Sequence, residues 1–232
     1  MHKSYKHLFF DLDQTIWDFD TNQILTLKNL FKEYNLERHF KSFDDFFDRY
    51  TPINHRLWND YQYNRISKPE LKVGRFYQTF RSVGLDDLSV AEKFAQDFVT
   101  NNSKETKVIP YAFDLLNYLK EKKYQMHIIT NGFRETQFSK LERSGLAPYF
   151  NNIFISEDFG VSKPHSAFFE YALAGANANK NESLVIGDSL ENDVKGARDY
   201  GIDQVFFNPE QKTHNEKVFK EITSLKELIG WL

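Results

Sequence analysis

Apolar and polar positions divide this chain into three textures. Near the N-terminus an unbroken apolar run, Leu8-Phe9-Phe10, gives way to Asp11-Leu12-Asp13-Gln14-Thr15. The continuous run predicts a strand buried on both faces. In extended chain the period of two that follows sets Asp11, Asp13 and Thr15 on one side. From Trp17 to about Lys107 the apolar spacing is helical. Ile24, Leu27, Leu30, Phe31 and Tyr34 share one face, and Phe43, Phe46, Phe47 and Tyr50 another, with Ser42 as its N-cap. Pro52 is expected to break or bend that second segment. Leu57, Trp58 and Tyr61, then Phe76, Tyr77, Phe80 and Val83, carry the pattern to a stop at Gly84. Ala91, Phe94, Ala95, Phe98 and Val99 form a last face, and Asn101-Asn102-Ser103 reads as a loop.

Beyond Pro110 short apolar runs alternate with helical stretches. Pro110 is expected in the first turn of a helix whose face is Ala112, Leu115, Leu116 and Leu119. Met126-His127-Ile128-Ile129 ends at Thr130-Asn131-Gly132, and a helix with Phe138 and Leu141 follows to Gly145, with Leu146 placed for a contact past the helix end. Ile153-Phe154-Ile155 precedes a helix opened by Pro164. Ser183-Leu184-Val185-Ile186 ends at Gly187-Asp188, and a helix through Val194 and Ala197 stops at Gly201. Val205-Phe206-Phe207 reads as the last strand and Ile222 to Leu232 as a final helix. This alternation predicts an α/β domain with a parallel sheet covered on both faces. The strand at Leu8 needs neighbours, which favours an inserted helical block over two consecutive domains with an N-terminal arm. The expected organisation is a discontinuous core, residues 1–16 and 108–232, and an all-helical cap, residues 17–107.

Composition narrows the function classes. A net charge of -3 removes a global pull toward nucleic acid polymers or acidic membranes. With no cysteine, disulfides, iron–sulfur clusters, thiolate zinc sites and a cysteine nucleophile are excluded. The seven histidines are scattered, with no pair at metal-ligand spacing. The N-terminal apolar run is too short for a signal peptide, and no run approaches the ~20 residues of a membrane helix. The expectation is a cytoplasmic protein, monomeric or a weak homo-oligomer, away from the membrane.

Candidate chemistry collects where apolar runs end, which is where open parallel sheets bind ligands. Asp11, Asp13 and Thr15 follow the first run, Thr130 and Asn131 the second, Lys163 the third, and Asp188, Asn192 and Asp193 the fourth. Two acids as close as Asp11 and Asp13 repel unless a cation lies between them or one keeps its proton. Singly, each group has a plainer reading: an Asp-rich turn, a turn after a strand, a surface lysine, a capped helix. Together they suit a phosphate bound beside Mg²⁺, which prefers carboxylate oxygens, with lysine, hydroxyl and amide donors on the remaining phosphate oxygens.

These motifs resemble those of the haloacid-dehalogenase-like (HAD) hydrolase superfamily across nearly the full length. Asp11-Leu12-Asp13-Gln14-Thr15 is similar to its first motif, Thr130-Asn131-Gly132 to the second, Lys163-Pro164 to the third, and Gly187-Asp188-Ser189-Leu190-Glu191-Asn192-Asp193 to the fourth. Gln14 stands where the family usually has Gly. The resemblance implies a Rossmann-like core, a helical cap and Mg²⁺-dependent phosphoryl transfer. It implies Asp11 as nucleophile and Asp13 as acid and then base, with Thr130, Asn131 and Lys163 at the phosphate. The metal would be held by Asp11, the Asp13 backbone carbonyl and Asp188, with Asp193 in support of Lys163 or a metal-bound water. The family's true dehalogenases lack the second acid of the first motif, so Asp13 implies a phosphate substrate.

Within the cap, Asn54, Leu57-Trp58, Tyr61, Ile66, Leu71 and Gly74-Arg75-Phe76 resemble the subgroup of noncanonical nucleoside 5'-monophosphatases. So do Asn131-Gly132-Phe133 and Leu141-Glu142-Arg143-Ser144-Gly145-Leu146 in the core. Asn64 replaces the usual cap-turn Gly and tolerates positive φ better than most residues. Trp58, Tyr61 and Arg75 become candidate substrate contacts. The implied function is a 5'-nucleotidase acting on a small phosphorylated metabolite. The alternatives are a sugar-phosphate phosphatase, a β-phosphoglucomutase-like phosphomutase, or a non-catalytic binding protein.

Overall fold

The run Leu8-Phe9-Phe10 forms β1 (His7–Phe10), and neighbours flank it on both sides. The computed structural model describes residues 4–232; the first three residues of the expected segment 1–16 lie outside them. After β1 come α1 (Phe19–Glu33), α2 (Phe43–Gln62), α3 (Lys68–Arg81), α4 (Leu88–Asn102), α5 (Ala112–Glu121), β2 (Gln125–Thr130), α6 (Arg134–Arg143), β3 (Asn152–Ile155), α7 (Ser156–Phe159), α8 (Ser166–Gly175) and β4 (Ser183–Gly187). A π-helical turn, Leu190–Lys195, runs into α9 (Gly196–Tyr200), followed by β5 (Asp203–Phe207) and β6 (Lys220–Ile222). The sheet order is β3-β2-β1-β4-β5-β6 with every pair parallel. The chain builds outward from β1 to β3, then returns to the other side of β1 at β4. That reversal opens a crevice at the carboxyl ends of β1 and β4.

Alternation within the strands supplies two cores. Leu8 and Phe10 of β1, Met126 and Ile128 of β2, and Leu184 and Ile186 of β4 pack on one face with Leu115, Leu116 and Leu119 of α5. Phe9, Ile129 and Val185 point the opposite way, onto Phe168, Phe169 and Leu173 of α8 and Ala197 of α9. Helix α6 ends as expected. Gly145 takes a φ of 73°, the Leu146 amide donates to the Leu141 carbonyl, and both leucines are fully buried.

Two compact units divide the chain, Met1–Asp20 with Thr106–Leu232 and Thr21–Glu105. Their limits differ from residues 17 and 107 because the connecting backbones pair. Trp17 bridges to Asp13 and to Val108, and the Ile109 amide donates to the Ile16 carbonyl. The second unit is an all-helical insert with its own aromatic core, including Phe31, Phe46, Tyr50, Phe76, Phe80, Phe94 and Phe98. The Phe76 ring lies 4.8 Å from that of Phe94 and 5.3 Å from that of Phe98. Ser42 caps α2 by accepting from the Asp45 amide, and Ser67 with Glu70 forms a capping box on α3. Asn64 adopts a φ of 55°.

Several local expectations fail: Asn101 and Asn102 are the last helical residues of α4 rather than a loop, and Pro164 lies in the turn before α8, whose first helical residue is Ser166. Pro52 does not break α2, because the buried stripe Phe46, Tyr50, Asn54 and Leu57 runs through it. Pro110 precedes α5 rather than opening it, since Tyr111 turns left-handed at φ 67° and Ala112 is the first helical residue. Phe207 does not end the last strand: Val205, Phe206 and Phe207 pair with Lys220, Glu221 and Ile222 of β6. The tail is therefore no continuous helix, only a short 3₁₀ turn at Leu225–Leu228 capped by Ser224. Leu225 and Leu228 are buried at a spacing that suits 3₁₀ and α helix alike.

The half-buried His7 at the start of β1 faces the buried His127 of β2. The His7 and His127 rings stack at 5.4 Å, with His7 Nδ1 3.1 Å from His127 Nε2. Burial, with His7 adding to it, lowers the His127 imidazole to about 4. The unfolded chain therefore binds a proton below pH ~6.5 that the folded chain refuses until about 4. Stability should fall as pH drops through that window. Urea titrations at pH 7.5, 6 and 5 should show His127→Phe losing less stability across the window than the unmodified chain.

Candidate active site

Lys163 gathers the central charges. Its side chain is 2% exposed, and its ammonium donates to Asp11 Oδ1 at 2.6 Å, Asp193 Oδ1 at 2.6 Å and the Ile129 carbonyl at 3.0 Å. Three N–H groups thereby meet three acceptors. Asp11 follows β1, Ile129 belongs to β2, and Asp193 sits on the π-helical turn after β4, so strand register brings these groups together. The Asp193 carboxylate also accepts from the Ser189 amide at 3.1 Å. It approaches β4 so closely that a Cβ on Gly187 would lie 2.3 Å from it, which only glycine permits. Thr15 donates to Asp188 Oδ1 at 3.2 Å. Asn131 spends its side-chain carbonyl and amide on the Lys163 backbone, both at 3.0 Å, so it orients Lys163.

Burial and mutual repulsion dominate the electrostatics of the three acids. Burial pushes the Asp11 carboxyl well above the usual range against the pull of Lys163, and Asp193 and Asp188 add to the rise. Burial and then Asp193 push Asp188 up to about 7. Burial alone would lower the Lys163 ammonium, but Asp11 and Asp193 outweigh it and hold it above its usual range. Oxygen atoms of Asp11, Asp188 and Asp193 lie within 4.8 Å of one another. Hard carboxylate donors around a site where negative charge is disfavoured fit a divalent cation such as Mg²⁺.

Asp13 goes elsewhere. Its carboxylate lies outside that acidic group and faces α6, where Oδ1 accepts from Lys140 at 2.6 Å and Oδ2 from Gln137 at 2.9 Å. Gln137 also donates to Thr130 Oγ1 at 2.7 Å. Sequence reasoning passed over both α6 residues. The buried stripe of α6 is Phe133, Gln137, Lys140 and Leu141, whereas Phe138 is only half-buried. Helical spacing counted from Phe133 would have found it, but a glutamine and a lysine at those positions read as a solvated face.

In the helical unit, Arg75 is 3% exposed, donates to Asn54 Oδ1 at 3.2 Å and lies over the Phe76 and Phe98 rings. Its Nε has no partner, and no carboxylate among the described residues pairs with it. Trp58 and Tyr61 are half-buried and meet edge to face at 6.0 Å.

A doubly wound parallel sheet with buried acids and a lysine at its central strand ends, interrupted after β1 by a helical insert, defines a Rossmann-like α/β hydrolase. The chain belongs to the haloacid dehalogenase-like hydrolases, whose family profile matches residues 8–207. It is 35% identical over 232 residues to the pyrimidine 5'-nucleotidase PynA of Streptococcus pneumoniae, covering 98% of this chain and 95% of that protein. It is 32% identical over 224 residues to the pyrimidine 5'-nucleotidase YjjG of Escherichia coli, covering 95% of each. The crystal structure of the HAD-hydrolase YfnB from Bacillus subtilis bound to magnesium superposes with a TM-score of 0.89 at 32% identity, covering 99% of each chain. No helix among the described residues is long and apolar enough to cross a membrane.

Removing the central amine should cost far more than a surface charge. Lys163→Met leaves Asp11 and Asp193 buried without their cation, an expected loss of about 3–5 kcal/mol. Urea denaturation against the exposed control Lys6→Met, whose Glu182 partner is solvent-accessible, should separate the two by most of that amount.

Proposed function

We propose that this chain is a Mg²⁺-dependent phosphomonoesterase that works through an aspartyl-phosphate, acting as a 5'-nucleotidase on nucleoside monophosphates in the cytoplasm. The observation that carries the reading is Lys163, buried between Asp11 and Asp193 with Asp188 beside them. The two relatives named as pyrimidine 5'-nucleotidases support a pyrimidine nucleotide as substrate.

Asp11 attacks phosphorus through a carboxylate oxygen, forming the acyl-phosphate as the ester P–O bond breaks. Asp13 gives its proton to the departing nucleoside oxygen. Water then bonds to phosphorus, its proton passes to Asp13, and the Asp11–phosphorus bond breaks to release phosphate. The Thr130 hydroxyl donates to a phosphate oxygen, Lys163 sets its positive charge beside the phosphate while its hydrogens hold Asp11, Asp193 and the Ile129 carbonyl, and Asn131 fixes Lys163 through its backbone. Mg²⁺, with Asp11, Asp188 and the Asp13 backbone carbonyl as ligands and Asp193 behind, would screen the charge between nucleophile and phosphate. Of the candidate substrate contacts in the helical unit, Trp58 and Tyr61 form a half-buried aromatic pair, whereas Arg75 is buried against Asn54 and the Phe76 and Phe98 rings.

Asp11→Asn should lower Mg²⁺-dependent phosphate release by more than about 10³-fold while the cooperative unfolding transition persists. Excess chelator should stop the unmodified protein to the same degree; turnover that survives chelation would remove the metal from the scheme. A panel of UMP, CMP and dTMP against AMP, GMP and sugar phosphates, read as kcat/KM with Asp11→Asn as blank, should rank the pyrimidine nucleotides first. A sugar phosphate far ahead would replace the nucleotide reading with a sugar-phosphate phosphatase.

A further inference from the structure

Lys140 is a buried cation that, among the described residues, pairs with one acid. It is 4% exposed, its ammonium lies 4.4 Å from the Trp17 ring and 5.3 Å from the Phe19 ring, and its carboxylate partner is Asp13 at 2.6 Å. One helical turn earlier, the fully buried Gln137 divides its amide hydrogens between Asp13 Oδ2 and Thr130 Oγ1. The Thr130 oxygen also accepts from the Gly132 amide at 3.1 Å. With both lone pairs filled, its remaining capacity is to donate its hydroxyl proton. The close fit of Gln137 depends on Gly132, where a Cβ would lie 1.8 Å from Gln137 Nε2. Neither Gln137 nor Lys140 belongs to the four motifs, yet together they hold two groups that do.

We propose that Lys140 and Gln137 are positioning residues of the reaction. One face of α6 fixes the Asp13 carboxylate and the Thr130 hydroxyl as a unit, and the Lys140 and Gln137 hydrogen bonds hold the Asp13 carboxylate in one orientation for proton transfer. The proposal rests on the phosphohydrolase reading above. Its main weight falls on the second step. There the water oxygen bonds to phosphorus, the water proton moves to Asp13, and the Asp11 oxygen leaves as carboxylate. An apolar residue of similar length at position 140 removes the hydrogen bond that holds Asp13 in place for that transfer.

Leaving-group chemistry separates this role from a merely structural one. p-Nitrophenolate departs without a proton, so formation of the aspartyl-phosphate from p-nitrophenyl phosphate does not need Asp13, whereas its hydrolysis does. In stopped flow with saturating Mg²⁺, Lys140→Met should release about one nitrophenolate per active site at close to the unmodified rate. Steady turnover should then fall by ~10–100-fold, less than the ~10²–10⁴-fold that a general base contributes, because Asp13 is displaced and not removed. With a nucleoside monophosphate, whose alcohol must be protonated, the first turnover should slow as well. If Lys140→Met does not fold, Lys140→Arg carries the same test, because its planar guanidinium displaces the carboxylate while keeping the charge. Burst and steady state slowed equally, or steady turnover unchanged, in a folded variant would overturn the proposal. The Asp11→Asn blank judges the underlying reading separately: if Asp11→Asn still turns over, the mechanism itself fails, whatever Lys140 shows.

Discussion

Most of the molecule is arranged so that one ammonium can be buried. An amine inside a sheet domain costs several kcal/mol unless every hydrogen finds an acceptor. Lys163 meets that condition with groups from three separate elements: the residue after β1, a carbonyl within β2, and a side chain on the turn after β4. A one-residue slip of any of these strands would reverse its side chains and remove an acceptor. Satisfying Lys163 therefore selects the register of the central sheet, and the same register leaves Asp11 and Asp188 facing one another across the switch point. The wide π-helical turn at Leu190–Lys195 belongs to this arrangement, since it brings Asp193 back against Gly187.

The helical insert has a different logic. It carries none of the buried acids around Lys163, and its core is aromatic, with seven phenylalanines buried together. That accounts for part of a Phe content of 23 that the sheet domain alone would not need. Its polar interior positions, Gln23, Tyr50, Asn54 and Arg75, are linked by hydrogen bonds and charge contacts across α1, α2 and α3. Such positions are where an insert of this kind can vary its chemistry while the acid centre stays constant.

How much was legible follows from how each residue is used. The strands could be read because both faces are buried, and so Leu8-Phe9-Phe10 and Leu184-Val185-Ile186 show no polar interruption. The chemistry could be read because it begins where those runs stop. β6 escaped because an edge strand with one buried residue, Ile222, carries almost no pattern. Gln137 and Lys140 escaped for the opposite reason: they are buried because they answer other polar groups, which no count of apolar spacing registers. Alternation on Asp11, Asp13 and Thr15 suggested a shared target, yet the chain turns after Phe10. Asp11 meets Lys163 whereas Asp13 meets Lys140, a division set by a turn rather than by strand geometry.

That turn contains Gln14, at a φ of 63° where a side chain is strained. Its amide donates to Asp20 Oδ2 at 2.7 Å, and its carbonyl oxygen accepts from the Asp20 backbone at 2.9 Å. The two bonds close residues 14–20 into a stiff ring fastened to the first turn of α1. The ring couples the strained backbone next to Asp13 to the opening residues of α1, so loss of the Gln14 side chain would free both at once.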